Sequence, residues 1–211
     1  MRAMTAILGL SLAVALGACK IVPNPEPGSE NAASQTDEDR MAAKAAEIYD
    51  SQLIPYVSGK AIDLPVLTSA LQGGYEAAGK AHGIRPQAEG SPWNFLVKGQ
   101  GTVIEANRES RAATLTLDAT GDGQADVTIQ LGPVIKGTAL RDAADFIVFT
   151  DYRDQIEFAK LARALNDRAH AAITLPEGDL TGKTLRFEGA ATLRSATDPI
   201  LVVPTVLDVQ P

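Results

Sequence analysis

The stretch DATGDGQAD, residues 118 to 126, sets three aspartates, a threonine and a glutamine at alternating positions around two glycines. With Asp118 as position one, Thr120 falls at three, Asp122 at five, Gly123 at six, Gln124 at seven and Asp126 at nine. A calcium loop of the EF-hand type needs oxygen ligands at one, three, five, seven and nine, glycine at six and a bidentate glutamate at twelve. Position twelve is Ile129, so the loop is not an EF-hand. It looks more like the DxDxDGxxD loops that precede strands in integrin-type and thrombospondin-type modules. Two readings stand. Asp118, Thr120, Asp122, Gln124 and Asp126 form a weak calcium site, or the stretch is a polar hairpin turn using Asp and Gly for positive-φ positions.

A second group of chemistry-bearing residues lies in GPVIKGTALRDAADFIVFTDYRDQIEF, residues 132 to 158. Thr138, Arg141, Asp142, Tyr152 and Gln155 are the candidates for holding a ligand or a partner. The competing expectation is that Arg141 and Asp142 tie the segment together and that its aromatics are core.

Other signals fail on their context. EGDLTGKT, residues 177 to 184, ends like a phosphate-binding loop, but its first glycine is displaced by one and a strand follows where a helix is required. His82 and His170 are the only histidines and Cys19 the only cysteine, and neither histidine has a metal-binding or catalytic neighbour in sequence. No catalytic constellation is legible, so a non-enzymatic protein is expected, with no required cofactor beyond optional calcium. The formal charge of −7 excludes a nucleic-acid partner, whose affinity depends on cationic side chains. Aromatics at 5 % argue against a broad stacking platform, although Trp93 or Tyr152 alone could stack on a sugar.

These residues must be positioned by a chain that opens with MRAMTAILGLSLAVALGAC. Arg2 precedes an apolar run shorter than the ~20 residues a spanning helix needs, the pattern of a secretory signal peptide over residues 1–18. Leu16-Gly17-Ala18-Cys19 resembles the lipobox of bacterial lipoproteins. That resemblance implies acylation of Cys19 and a periplasmic protein held on the lipid bilayer, with the choice of inner or outer membrane open. An ordinary leader with a chance cysteine is the alternative. Residues 19–36, rich in proline and polar residues, cannot repay ordering by burial and are expected to form a tether of about 50 Å when extended.

A two-helix appendage is expected over residues 37–92. Thr36 or Asp37 caps the first helix, whose face is Met41, Ala45, Ile48, Tyr49, Gln52 and Leu53, and Pro55 ends it. The second begins near Asp63-Leu64-Pro65, with Val66, Leu67, Ala70 and Leu71 on its apolar side. Gly79 to Gly90 is expected to be loop. Residues 93–211 read as strands at 95–106, 112–117 and 127–131, a helix over 154–169, then strands at 183–193 and 200–209. The order β-β-β-α-β-β, with Gly99 and Gly101 bending a long first strand, predicts an α+β protein built on an OB-like five-stranded Greek-key barrel. An open sheet backed by helices is the alternative.

The lipobox LGACKIV, SPWNFLVKGQGTV at the start of the barrel, the 132–158 run and the closing PILVVPTVLDV resemble an uncharacterised family of predicted periplasmic lipoproteins. Members of that family are encoded beside ABC-type sugar uptake systems. The resemblance implies an accessory or adaptor role, with a transporter subunit or a solute-binding protein as partner. Direct capture of a small carbohydrate in the barrel groove is the runner-up.

Overall fold

The computed structural model describes residues 36–86 and 90–210, which fall within a single compact unit. Cys19, the leader and the tether as far as residue 35 lie outside the described residues.

Six strands make one sheet: β1 (Ile62–Asp63), β2 (Trp93–Asn107), β3 (Ala112–Asp118), β4 (Val127–Pro133), β5 (Thr184–Leu193) and β6 (Leu201–Val209). The order is β1-β2-β3-β4-β6-β5, and β5 returns to pair antiparallel with β2 over ten residues from Trp93↔Leu193 to Thr102↔Thr184. Five strands therefore close into a barrel, with β4 and β6 as the parallel pair. This is the expected OB topology. A closed barrel leaves no long unpaired strand edge. The glycines of β2 serve close approach: a Cβ on Gly101 would stand 2.7 Å from the Asp118 carbonyl oxygen of β3.

The helices are α1 (Asp37–Ile48), α2 (Ile54–Lys60), α3 (Leu64–Gln72), α4 (Tyr75–His82), α5 (Ala139–Asp142) and α6 (Gln155–Ala172). Thr36 caps α1 with a complete capping box, its hydroxyl accepting from the Asp39 amide at 3.2 Å while Asp39 answers the Thr36 backbone N–H.

Three expectations about this N-terminal region need correction. Pro55 does not end the first helix. The backbone widens into a π-helical turn over Tyr49–Leu53 and restarts as α2 with Pro55 in its first turn. A proline ring clashes with the carbonyl four residues back and offers no N–H, and the wider turn just ahead of it lets the chain remain helical. The segment from Gly79 is not loop, because α4 continues to His82. Val66 and Gln52 are not on buried faces. Val66 is 44 % exposed and Gln52 is exposed, while Leu64, Leu67 and Leu71 carry the inner side of α3.

Two cores result. Leu64, Leu67, Leu71 and Ala78 pack among Phe95, Val97, Leu115, Ile129, Phe187 and Val202, so α3 and α4 complete the barrel interior. The outer wall at Leu96, Ala190 and Val203 is covered by α1, α2, α5 and α6 through Ala45, Tyr49, Val57, Leu140, Leu161 and Leu165. The described helices of this N-terminal region thus contribute side chains to both cores. Within the second core the Tyr49 hydroxyl is buried without a hydrogen-bond partner among the described residues, and burial pushes its pKa up to about 12.

Candidate functional site

In the hairpin between β3 and β4 the carboxylates accept the loop's own backbone amides. Asp118, 8 % exposed, accepts backbone N–H groups from Gly121 at 2.6 Å and Thr120 at 3.1 Å on one oxygen, and from Gly123 at 2.8 Å on the other. Asp126 accepts from Ala119 at 2.7 Å and Thr120 at 2.9 Å. Asp122 accepts from the Gln124 amide at 2.8 Å. Gly121 and Gly123 take φ of 83° and 79°, the positions a turn of this kind demands. Donation from the amides of Gly123 and Gly121 holds the Asp118 carboxyl below its ordinary value. The side chains of Thr120 and Gln124 add no tie to the ring beyond a long 3.5 Å contact from the Thr120 hydroxyl to Asp118. Among the described residues, no group of three His, Cys, Asp or Glu side chains converges as a metal site would.

The 132–158 segment separates into an inner and an outer half. Thr138, Arg141 and Asp142 belong to the inner half. The Thr138 hydroxyl donates to Asp142 at 2.5 Å, Arg141 Nε donates to the other Asp142 oxygen at 2.7 Å, and a second Arg141 nitrogen donates to the Phe158 carbonyl at 3.0 Å. The guanidinium also lies 3.8 Å from the Phe158 ring centroid, a cation–π contact. The Arg141 and Asp142 side chains are 12 % and 15 % exposed. These three residues knit α5 to α6, while Phe149 of the same segment stands 42 % exposed.

The outer half holds Tyr152 and Gln155. Gln155 is exposed at the start of α6. Tyr152 tilts against Phe158 at 5.1 Å between ring centroids, and burial raises its phenol. It also lines an open cleft of about 560 Å³. Met41, Ile48, Phe146 and Ile147 provide the apolar lining of that cleft, and Lys44, Glu47, Gln52 and Asp151 provide polar groups. Lys44 is paired with Glu47 at 3.0 Å. Sequence reasoning placed Tyr152 at a site but missed its partner wall. The outer face of α1, with Ala43, Lys44 and Glu47, reads as ordinary solvated helix until it is seen to face the segment from Phe146 to Tyr152.

Trp93 is not open for stacking. Arg85 lies 4.1 Å from its ring centroid, its indole N–H points to Glu76 at 3.4 Å, and Gly79 and Gly83 lie against the ring. The barrel groove, about 480 Å³, is lined by Lys98, Gln100, Arg186 and Glu188 beside Leu64 and Pro65 of α3. His170 is structural: its Nδ1 meets the Leu131 carbonyl at 2.7 Å.

A barrel of this strand order, with its helix between the third and fourth barrel strands, makes the molecule an OB-fold protein. It is similar to the crystal structure of an OB-fold protein from Thermotoga maritima, with a TM-score of 0.64 and 18 % identity over 81 % of this chain and 98 % of that one. The chain belongs to the family described as predicted periplasmic lipoprotein (DUF2291), which it matches over residues 10–208. It is therefore a periplasmic lipoprotein, anchored to a membrane. No curated protein matches it.

Proposed function

We propose that the protein is a non-enzymatic accessory of an ABC-type sugar uptake system, held on the bilayer through acylated Cys19. Its cleft between α1 and the segment from Phe146 to Tyr152 receives a protein partner. The observation that carries this reading is the cleft itself. An apolar lining of Met41, Ile48, Phe146 and Ile147 edged by Lys44, Glu47 and Asp151 has the composition of a small interface, apolar at its centre and polar at its rim. The side chains there include no cysteine, serine or histidine that could act as a nucleophile or imidazole base. The exposed rings and hydroxyls that a sugar site uses are also few, since Trp93 is covered.

Photo-crosslinking from Gln52 and Ala43 in intact cells tests the reading. Recovery of a transporter subunit or a solute-binding protein supports it, and recovery of no specific protein from either position overturns it. Capture of a small carbohydrate in the groove of Lys98, Gln100, Arg186 and Glu188 is favoured only by the hydrogen-bonding groups gathered there. Calorimetric titration with a sugar panel decides it: micromolar binding lost in Gln100→Ala would displace the adaptor reading.

A further inference from the structure

Three large apolar side chains stand out of the surface within one short stretch. Val148 is 46 % exposed, Phe149 42 % and Ile156 63 %. They flank a single 3-10 turn, Phe149–Asp151, and the first turn of α6. The Phe149 ring is held edge-on to Phe158 at 5.4 Å between centroids, so it is presented from a packed support.

The same end of the domain is where the anchoring segment enters. Asp37, the first residue of α1, pairs with Arg153 and with Lys160, the latter at 3.5 Å. Glu38 adds a 3.0 Å bond to Lys160. The start of α1 is thereby locked to the start of α6, beside the exposed apolar residues. From Cys19 to Thr36 the chain offers about 17 residues, which can reach no further than about 60 Å. That length keeps the domain within reach of the membrane surface. In that regime a second contact is effectively intramolecular, and a patch too small to bind a membrane by itself can still set orientation.

The chemistry of the surface selects the lipid. Arg153 and Lys160 are engaged with Asp37, Glu38 and Glu157, and Asp145, Asp151 and Asp154 lie in or beside the same stretch. The chain carries a net charge of −7. An anionic surface repels such a face, because attraction to anionic lipid needs surplus Lys and Arg.

We infer that the segment 148–156 is the membrane-facing surface of the protein, with Val148, Phe149 and Ile156 entering the headgroup region of a zwitterionic bilayer. The inference rests on Cys19 as the point of attachment and goes beyond the adaptor reading. It sets the cleft between α1 and Tyr152 beside the lipid, within reach of the periplasmic face of an integral membrane protein.

The test uses the full-length acylated protein in phosphatidylcholine–phosphatidylethanolamine vesicles that contain nitroxide-labelled lipid. A fluorophore is placed at Ile156→Cys, at Val148→Cys or, as control, at Val66→Cys on α3. Cys19 is the only native cysteine and acylation blocks it, so each label is unique. Quenching is expected to be several-fold stronger at positions 156 and 148 than at 66, and to weaken when a third of the lipid is made anionic. Equal quenching at all three positions overturns the inference. So does protection that grows with protein density instead of lipid, which would make a second copy the occupant. Co-sedimentation separates the two claims. Protein that sediments with unquenched labels removes the membrane face alone, and protein that does not sediment removes the Cys19 anchor and this face together.

Discussion

Glu157 of α6 accepts a hydrogen bond from Arg40 of α1 at 3.1 Å, across 117 residues of chain, and is itself only 4 % exposed. The same carboxylate accepts the Arg153 backbone N–H at 2.8 Å and Arg153 Nε at 3.3 Å. A buried carboxylate is tolerated only when paired and hydrogen-bonded, and here the pairing fastens the start of the described chain to the helix behind the cleft.

Glu157→Gln is expected to cost about 1–3 kcal/mol. That is less than breaking a fully buried pair, because the Arg40 and Arg153 side chains are 31 % and 60 % exposed and can be rehydrated. Urea unfolding measures the loss. Hydrogen exchange should rise in the first turns of α1 while barrel amides keep their protection; uniform loss across the domain would contradict a local fastening.

Gly79 sits under the indole of Trp93: an added Cβ would fall 2.2 Å from Nε1. Gly79→Ala is expected to destabilise by about 1–3 kcal/mol through overpacking and to shift the emission of Trp93, the only tryptophan, to the red. Gly59→Ala in α2 is the control. Nothing lies within 4 Å of its added Cβ, so it should stabilise by up to about 1 kcal/mol through helix propensity.

Asp118 gives a pH signature. Its carboxyl is held below the ordinary value by the amides of Gly123 and Gly121. A depressed folded-state pKa contributes stability that is complete above the unfolded value, about 3.9, and is lost as pH falls through the folded value. Asp118→Asn should therefore melt lower than the native protein at pH 7. The gap should narrow as pH is taken below about 4, and a gap that stays constant down to pH 2 would contradict the amide network as its origin.

Calcium is tested on the same loop. Since Asp118, Asp122 and Asp126 already accept backbone amides, a bound ion would have to compete with those bonds. The melting temperature in millimolar calcium and in EDTA is expected to coincide. A shift in the native protein that disappears in Asp122→Ala would establish the calcium site.

Arg141→Ala removes two hydrogen bonds and a ring contact from a side chain that is mostly buried. It is expected to lower stability by about 2–3 kcal/mol, in the range for leaving a charged partner unsatisfied. Gln155→Ala, on the exposed start of α6, should leave the melting temperature unchanged. Crosslinking yield from Gln52 in the two variants then separates a stability effect from a contact effect.

Several elements of this protein were legible because their causes are local. A cap at Thr36 or Asp37 needs only the residues beside it, the helix of Leu161, Leu165 and Ala169 needs a repeat of four, and the alternation from Thr114 to Leu117 needs only two. Strand order and one intervening helix were enough to reach the closed barrel, because few topologies close five strands without leaving an edge. The α4 helix was missed because Gly79, a poor helix former in isolation, owes its place to Trp93. Gly74, at φ 117°, is the N-cap of α4, directly after the Gly73 cap of α3. At Pro55 a local rule was overridden by the burial of Tyr49, Leu53 and Val57 on the barrel wall.

The sequence by itself determined the family, the barrel and the turn residues from Asp118 to Asp126. Each is written in short-range pattern, in which neighbouring residues impose the period, the cap or the turn. Only the tertiary structure decided that α3 fills the barrel, that Arg141 and Asp142 turn inward, and that α1 faces Tyr152 across an open cleft. Those outcomes depend on which distant surfaces exclude water together, and burial is a property of the whole folded chain.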